Sequence, residues 1–324
     1  MPDTISTQEG ESAALPVVAS IIICTCNRAD SLAETLVAIE SCALPEGGRV
    51  ELIVVDNASK DNTKAVTEAF VSGKFDVRYV FEGKRGKGNA YNAGITASNG
   101  AVLLFTDDDV RPAPGWLTEH VAQYANPDVA AVQGRIELDF DAPPPTWMTG
   151  IHRGFLAETM PSDQPIYPYE KHLVGANMSF RKSIALEIGP FNPLLGPGRS
   201  GFWDESEFTI RMMKKGYNLK YCPAASVRHI IGVSRLTRGY FKDAAFRQGV
   251  SSFIVEGIGT VPMRTVSKGD MLRAQLRQLK LRLRARLKGE VYEATQDHLF
   301  FLMYRGATWA YYQGMERLTQ KYTA

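Results

Sequence analysis

The chain lacks a strong charge of either sign. Across 324 residues, 37 Lys and Arg stand against 35 Asp and Glu, a net of +2, which gives no reason to expect a nucleic-acid partner. Cysteine is scarce, with four residues: Cys24, Cys26, Cys42 and Cys222. No second Cys or His pair lies near Cys24 and Cys26 to complete a zinc site, so all four read as small buried hydrophobes in a reducing compartment. No apolar run approaches the length of about 18 residues that suggests a spanning helix. The first 18 residues are polar and acidic, without the basic and apolar segments of a secretory leader. These absences lead us to expect a cytoplasmic protein. With 44% apolar and 22% charged residues, the chain can bury a sizeable core, as one large α/β domain with additions or as two small domains.

Short β-branched runs alternate with helical patterns through the first third. Ala19–Cys24, Glu51–Asp56, Val77–Phe81 and Ala101–Phe105 read as strands. Helical stretches separate them at about 31–41, 61–71 and 88–97. This rhythm predicts a doubly wound, mostly parallel sheet with helices on both faces. Beyond Asp107 we expect a helix over 116–124, strands over 129–138, 173–180 and 226–231, and a helix over 205–215. The Pro-rich stretch 141–168 reads as an irregular insert, and Asn192–Gly201, rich in Gly and Pro, as a mobile loop or lid. The predicted organisation is a disordered lead-in over 1–17, a catalytic domain over 18–235 and a helical extension over 236–324. The catalytic domain divides near residue 110 into a nucleotide half and an acceptor half.

Three acids, Asp107, Asp108 and Asp109, directly follow the fourth strand, and Asp56 ends the second. In open α/β sheets ligands bind outside the carboxyl ends of strands. Adjacent carboxylates repel one another and usually need a cation. Oxygen ligands favour a hard ion such as Mg²⁺ or Mn²⁺, which completes its shell with substrate phosphates.

Four segments carry a resemblance: Ile21-Ile-Ile-Cys-Thr-Cys-Asn-Arg28, Val54-Val-Asp-Asn-Ala-Ser-Lys-Asp-Asn-Thr63, Gly86-Lys-Gly-Asn-Ala-Tyr-Asn-Ala-Gly94 and Phe105-Thr-Asp-Asp-Asp109. In order and spacing the chain resembles the family 2 glycosyltransferases over roughly residues 19–235. The resemblance implies the GT-A fold, a nucleotide-sugar donor, a Mn²⁺ or Mg²⁺ cofactor and an inverting transfer to a carbohydrate or lipid-linked acceptor. It places Thr25, Asn27 and Arg28 in the nucleotide pocket, Asp56 on the nucleobase, and Lys87 and Asn89 near the nucleotide or its phosphates. Asp107 falls at the ribose or the metal shell, Asp108 at the donor sugar and Asp109 at the metal, with His229 completing the shell. Gly175, Ala176 and Asn177 fall under the acceptor. Trp203, beside the candidate base, is placed to stack on an acceptor sugar. One departure is Tyr91, where many relatives carry Arg.

Asp204-Glu205-Ser206-Glu207 opens a helix. Asp204 as N-cap with Glu207 three residues later reads as a capping box. Glu205 has no such duty and aligns with the family's catalytic base, so it is assigned that role with Asp204 second. A sugar nucleotidyltransferase would usually show a Gly-rich, Arg-containing loop after strand one, and Cys24–Arg28 has no glycine. A receiver domain would carry its acid pair after the first strand. A degenerate, non-catalytic binding scaffold is at odds with the intact acids.

Lys268–Lys288 holds eight cations and one anion, leaving the remainder of the chain at −5. Leu272, Leu276, Leu279, Leu283 and Leu287 recur at helical spacing, with Leu281 off the pattern. Two readings follow: a basic amphipathic helix resting on an anionic membrane, or a helix whose leucines pack on the terminal helix near 297–318. Internal packing is the commoner use of such a stripe.

Overall fold

The computed structural model describes residues 15–159, 173–260 and 268–323. The first half alternates as expected. Its elements are β1 (Val17–Thr25), α1 (Ala29–Glu40), β2 (Arg49–Asp56), α2 (Thr63–Ala69), β3 (Asp76–Phe81), α3 (Lys87–Ala97) and β4 (Val102–Asp107). The second half adds β5 (Val110–Pro112), α4 (Trp116–Gln123), β6 (Val129–Phe140), α5 (Gly150–Phe155), β7 (Asn177–Arg181), α6 (Lys182–Ile188), α7 (Asp204–Lys214) and β8 (Asn218–Ile231). Three helices follow: α8 (Arg238–Gly257), α9 (Lys268–Leu287) and α10 (Gln296–Thr323).

All eight strands form one sheet, ordered β3-β2-β1-β4-β7-β6-β8-β5. β1 pairs in parallel with both β2 and β4, so the order reverses there. Register sets Thr25 opposite Asp56 and Cys24 opposite Asp107, which aligns three strand ends at one edge. β7 runs antiparallel to both β4 and β6. The sheet is therefore mixed and mostly parallel.

The central strands β1, β2 and β4 are buried on both faces, as their continuous apolar runs require. Alternation sends Ile21 and Ile23 toward Leu32, Leu36 and Trp116, while Ile22 and Cys24 face the other layer. That second layer is aromatic. Phe191 stacks on Phe208 at 4.2 Å, and Tyr91 meets Phe105 edge-on at 4.9 Å.

Several expectations are corrected. Most of the lead-in lies outside the described residues, but Val17 already begins β1. The expected strand 173–180 starts only at Asn177. Helices α5 and α6 and the short β5 were not foreseen. The Gly- and Pro-rich segment 192–201 is a packed turn. Leu195 and Ser200 are buried, and Gly196, Gly198 and Gly201 take positive φ values of 79°, 81° and 115°. It is fastened to the α3 turn, where the Lys87 N–H donates to the Pro197 carbonyl at 3.0 Å and Arg199 Nε to the Arg85 carbonyl at 2.7 Å.

The C-terminal helices are joined to the body. Val250, Phe253 and Ile254 of α8 and Ala307 and Ala310 of α10 cluster with Leu195 and Trp203. α8 and α10 approach closely through glycines. A Cβ on Gly249 would sit 1.8 Å from the Met303 carbonyl oxygen, and one on Gly306 2.0 Å from that of Phe246. The terminal helix buries Leu299 against Leu156, Ile231 and Phe241 but leaves Phe300 exposed.

α9 overturns the commoner reading. Its inward residues are Met271, Ala274, Gln278, Leu281 and Ala285, so the off-pattern Leu281 belongs to the inner seam. The five leucines of the stripe do not pack on α10; they are 53% to 89% exposed. No described helix is long and apolar enough to cross a membrane.

Candidate active site

Strand ends and the N-termini of α3 and α7 surround one cavity of about 1520 Å³. Thr25, Arg28, Lys87, Asp107, Asp108 and Asp109 line its polar end. Ile151, Phe155, Phe202, Trp203, Phe300 and Met303 also line the cavity and supply apolar wall.

The three acids have different surroundings. Asp107 remains partly open, with Oδ1 2.7 Å from Lys87 Nζ. Asp108 is buried; its Oδ2 accepts from Thr25 Oγ1 at 2.7 Å and its Oδ1 lies 3.3 Å from Arg28. Its main-chain carbonyl accepts from Ser31 and Thr35, which anchors the acid turn to α1. Burial pushes the Asp108 carboxyl up to about 7, against the pull of Arg28. Asp109 is buried too, and its Oδ2 lies 3.0 Å from Arg28, 3.3 Å from His229 Nε2 and 3.6 Å from Arg235. Burial alone would raise its pKa, but the His229 hydrogen bond and the charges of His229, Arg28 and Arg235 hold it well below the usual carboxylate range.

Asp109 and His229 suit a divalent cation. His229 Nδ1 donates to the Leu156 carbonyl at 2.9 Å, which orients the ring and turns Nε2 toward Asp109. Asp109 Oδ1 is buried without a hydrogen-bond partner. One carboxylate and one imidazole leave room for phosphate oxygens. Asp107, the third expected ligand, is instead engaged by Lys87. Among the described residues no three His, Cys, Asp or Glu side chains converge as a ready-made metal cluster.

The candidate base sits across the cavity. Glu205 Oε1 accepts from the Gly175 N–H at 3.2 Å and from Tyr91 Oη at 3.4 Å, and lies 3.7 Å from Lys87 Nζ. Position 175 must be glycine for this approach, since a Cβ there would fall 2.3 Å from Glu205 Oε1 and 2.1 Å from Tyr91 Oη. Lys87 thus bridges Asp107 and Glu205. Burial would lower its pKa, yet Asp107 and its other neighbours raise it well above the ordinary value, so it stays charged.

Asp204 is buried under the 192–201 turn, where a Cβ on Gly196 would fall 2.4 Å from its Oδ2. Burial first, then the charge of Glu205, raises its pKa well above the carboxylate range. It is therefore the partner that keeps a proton, which it donates to Glu205. The expected capping box is absent. Asp204 is the first helical residue, and Trp203 occupies the N-cap position with a left-handed φ of 76°. Glu207 pairs instead with Arg211 at 2.9 Å and accepts from Thr260 at 2.9 Å.

The other expected site residues divide. Ala176, Gly175 and Trp203 line the cavity. Asn177 does not, for it is fully buried. Its Oδ1 accepts from Trp116 and His120, and its Nδ2 donates to the Arg135 and Ala225 carbonyls. Asn27, also with positive φ, ties the β1 turn to Ser59 and Lys60. Asn89 Nδ2 donates to the Arg85 carbonyl, and Asp56 accepts from the Ser59 N–H and from Tyr79 Oη. These three lie outside the cavity lining. Tyr91 and Arg235 were missed. Tyr91 stood out only as a departure from the usual Arg, and nothing in the local sequence marks Arg235.

Sheet order, the reversal at β1 and the strand-end acids define a GT-A fold. The same fold is seen in a mannosyltransferase, PcManGT from Pyrobaculum calidifontis, solved in complex with GDP-Man and Mn²⁺, at a TM-score of 0.57 and 21% identity over 76% of this chain and 67% of that one. The sequence profile of glycosyl transferase family 2 matches residues 20–189, and the chain belongs to that family. It is 30% identical over 210 residues to the glycosyltransferase AglE of Haloferax volcanii, a match spanning 64% of this chain and 64% of AglE. A glucosyl-dolichyl phosphate glucuronosyltransferase of the same organism is 25% identical over 252 residues, covering 73% of this chain and 77% of the relative.

Proposed function

We propose that the chain is an inverting glycosyltransferase that moves a sugar from a nucleoside diphosphate sugar to an acceptor hydroxyl. The observation that carries this reading is the placement of Glu205. Its carboxylate lines the cavity beside Lys87 and Tyr91, across from the strand-end acids, with a protonated Asp204 behind it. Glu205 takes the acceptor proton as the hydroxyl attacks the anomeric carbon. Gly175 and Tyr91 hold the carboxylate in place, and Asp204 supports it by retaining the shared proton. Thr25 and Arg28 shape the nucleotide end, and Lys87 is positioned to meet phosphate charge.

Asp109 and His229 would hold a divalent cation, Mn²⁺ or Mg²⁺, with Asp107 at the edge of its shell. When bound, the ion supplies charge stabilisation to the departing diphosphate. The Mn²⁺ named with PcManGT supports this assignment. An acceptor with an apolar part, such as a lipid-linked glycan, suits the apolar wall of the cavity and agrees with the dolichyl-linked substrate named for one relative. Assembly of a surface glycan or glycolipid at the cytoplasmic face of a membrane, with peripheral contact, completes the proposal.

A thermal-shift series with nucleoside diphosphate sugars tests it. With Mn²⁺ present, at least one donor should raise the Tm, as ligand at 100 times its Kd adds about 2.7 kcal/mol. Chelation should abolish the rise. No shift with any donor would contradict the reading.

A further inference from the structure

We infer that α9 is an interfacial helix whose leucine face inserts into an anionic lipid surface. This deepens the proposed peripheral contact by naming the face and its orientation. At about 100° per residue, the stripe Leu272, Leu276, Leu279, Leu283 and Leu287 lies diametrically opposite the inner seam of Met271, Ala274, Gln278, Leu281 and Ala285. The inner seam is settled on the protein: Gln278 and Ala285 are buried, and Arg277 reaches Asp297 of α10 at 3.3 Å. The leucines point the other way, each more than half exposed.

The cations decide the occupant. On the same wheel Arg273, Arg277, Lys280 and Arg284 flank the stripe on one side, and Arg282 and Arg286 on the other. The leucines thus form the outermost ridge, with positive charge along both shoulders. That order fits a bilayer, in which leucines reach the acyl boundary while Arg and Lys extend to lipid phosphates. A second copy packed leucine to leucine would set these shoulders against each other with like charge, and after Asp270 the helix has no anion to relieve it. A nucleic acid would take the cations and leave the leucines in water. Arg273 with Asp270 and Arg277 with Asp297 already form pairs, but each arginine is over 70% exposed, so lipid phosphate exchanges for them readily.

The apolar wall of the cavity points to the same supply of substrate. Gln296, Phe300 and Met303 of α10 line the cavity, and Asp297 on the same turns is the residue that Arg277 of α9 reaches. Arg277 thus ties α9 to the helix whose first turns line the cavity.

Co-sedimentation of the full chain with phosphatidylcholine vesicles containing about one-third phosphatidylglycerol tests this. The wild type should bind at low salt and bind less as salt shortens the field to about 8 Å near 0.15 M. The triple variant Leu276→Ser, Leu279→Ser, Leu283→Ser should lose binding by about tenfold or more. Arg273→Gln with Lys280→Gln and Arg284→Gln should do the same, while both variants keep the wild-type Tm and the donor-induced thermal shift. Unchanged vesicle binding by the leucine variant overturns the inference. So does a wild type that ignores anionic vesicles, or one that elutes as a dimer whose formation depends on the leucines. If vesicles bind but no donor shifts the Tm, the transferase reading fails and the membrane inference stands.

Discussion

At the carboxyl edge of the sheet, each buried carboxylate has a polar or charged partner, and Asp109 Oδ1 alone of the strand-end acid oxygens is buried without one. Asp56, Asp108 and Asp109 are nearly inaccessible, and each meets a hydroxyl, an amide or a cation. Along α9 the opposite holds: five leucines are more than half exposed, with nothing covering them among the described residues. Parallel register fixes the first region, since β1, β2 and β4 cannot slip without moving every side chain to the other face. In the helical layer α8 and α10 approach closely through the reciprocal contact of Gly249 and Gly306. The lesson is that the two regions meet their partners differently. One holds buried charge in fixed pairs, and the other presents unburied apolar surface flanked by cations.

The comparison sharpens under mutation. The largest effect is expected at Asp109. Read from the sequence alone, the acid turn could be solvated, and Asp109→Ala would then spare the fold. The structure corrects this, because truncation leaves His229, Arg28 and Arg235 facing an empty buried site. Asp109→Asn keeps the shape and should weaken Mn²⁺-dependent donor affinity by more than about 100-fold by calorimetry.

Next is His120, fully buried between Ser179 Oγ and Asn177 Oδ1, both at 2.8 Å. Burial lowers its pKa from 6.5 to about 4, so the folded protein holds it neutral. Between those values the unfolded chain binds more protons. Stability from this site is therefore complete above about pH 6.5 and lost as pH falls toward 4, about 3 kcal/mol in all. Melting curves across that range should show the slope in the wild type and a flatter profile in His120→Gln.

The smallest effect belongs to the helical layer. Gly249→Ala puts a methyl group against the Met303 carbonyl and should cost about 1–3 kcal/mol, read as a lower Tm with donor affinity unchanged. A loss of donor affinity instead would break the separation of the two regions.

The sheet edge was the more legible region. Apolar runs ending in Thr25, Asp56 and Asp107 announce strands and place their ends together, because sequence period and strand period coincide. Depth was not legible. Nothing local distinguishes a solvated Asp109 from one buried against His229, 120 residues away. Asn177 looked like an acceptor contact because its neighbours Gly175 and Ala176 are at the cavity, yet a period of two turns its side chain inward to His120. The cap of α7 was misread because Asp204 is drawn under the 192–201 turn, a tertiary demand that overrides capping preference. The α9 stripe was visible as a stripe, but periodicity shows that a face exists and not what it meets.

The central claim is that Glu205 is the base of a metal-assisted sugar transfer. Glu205→Gln, assayed against the wild type for nucleoside diphosphate release and for donor binding, tests it most directly. The amide keeps the contacts to Gly175 and Lys87 but accepts no proton. Turnover should fall by about 10²–10⁴-fold while donor affinity stays within about twofold. Turnover within about tenfold of the wild type, with donor still bound, would contradict the assignment.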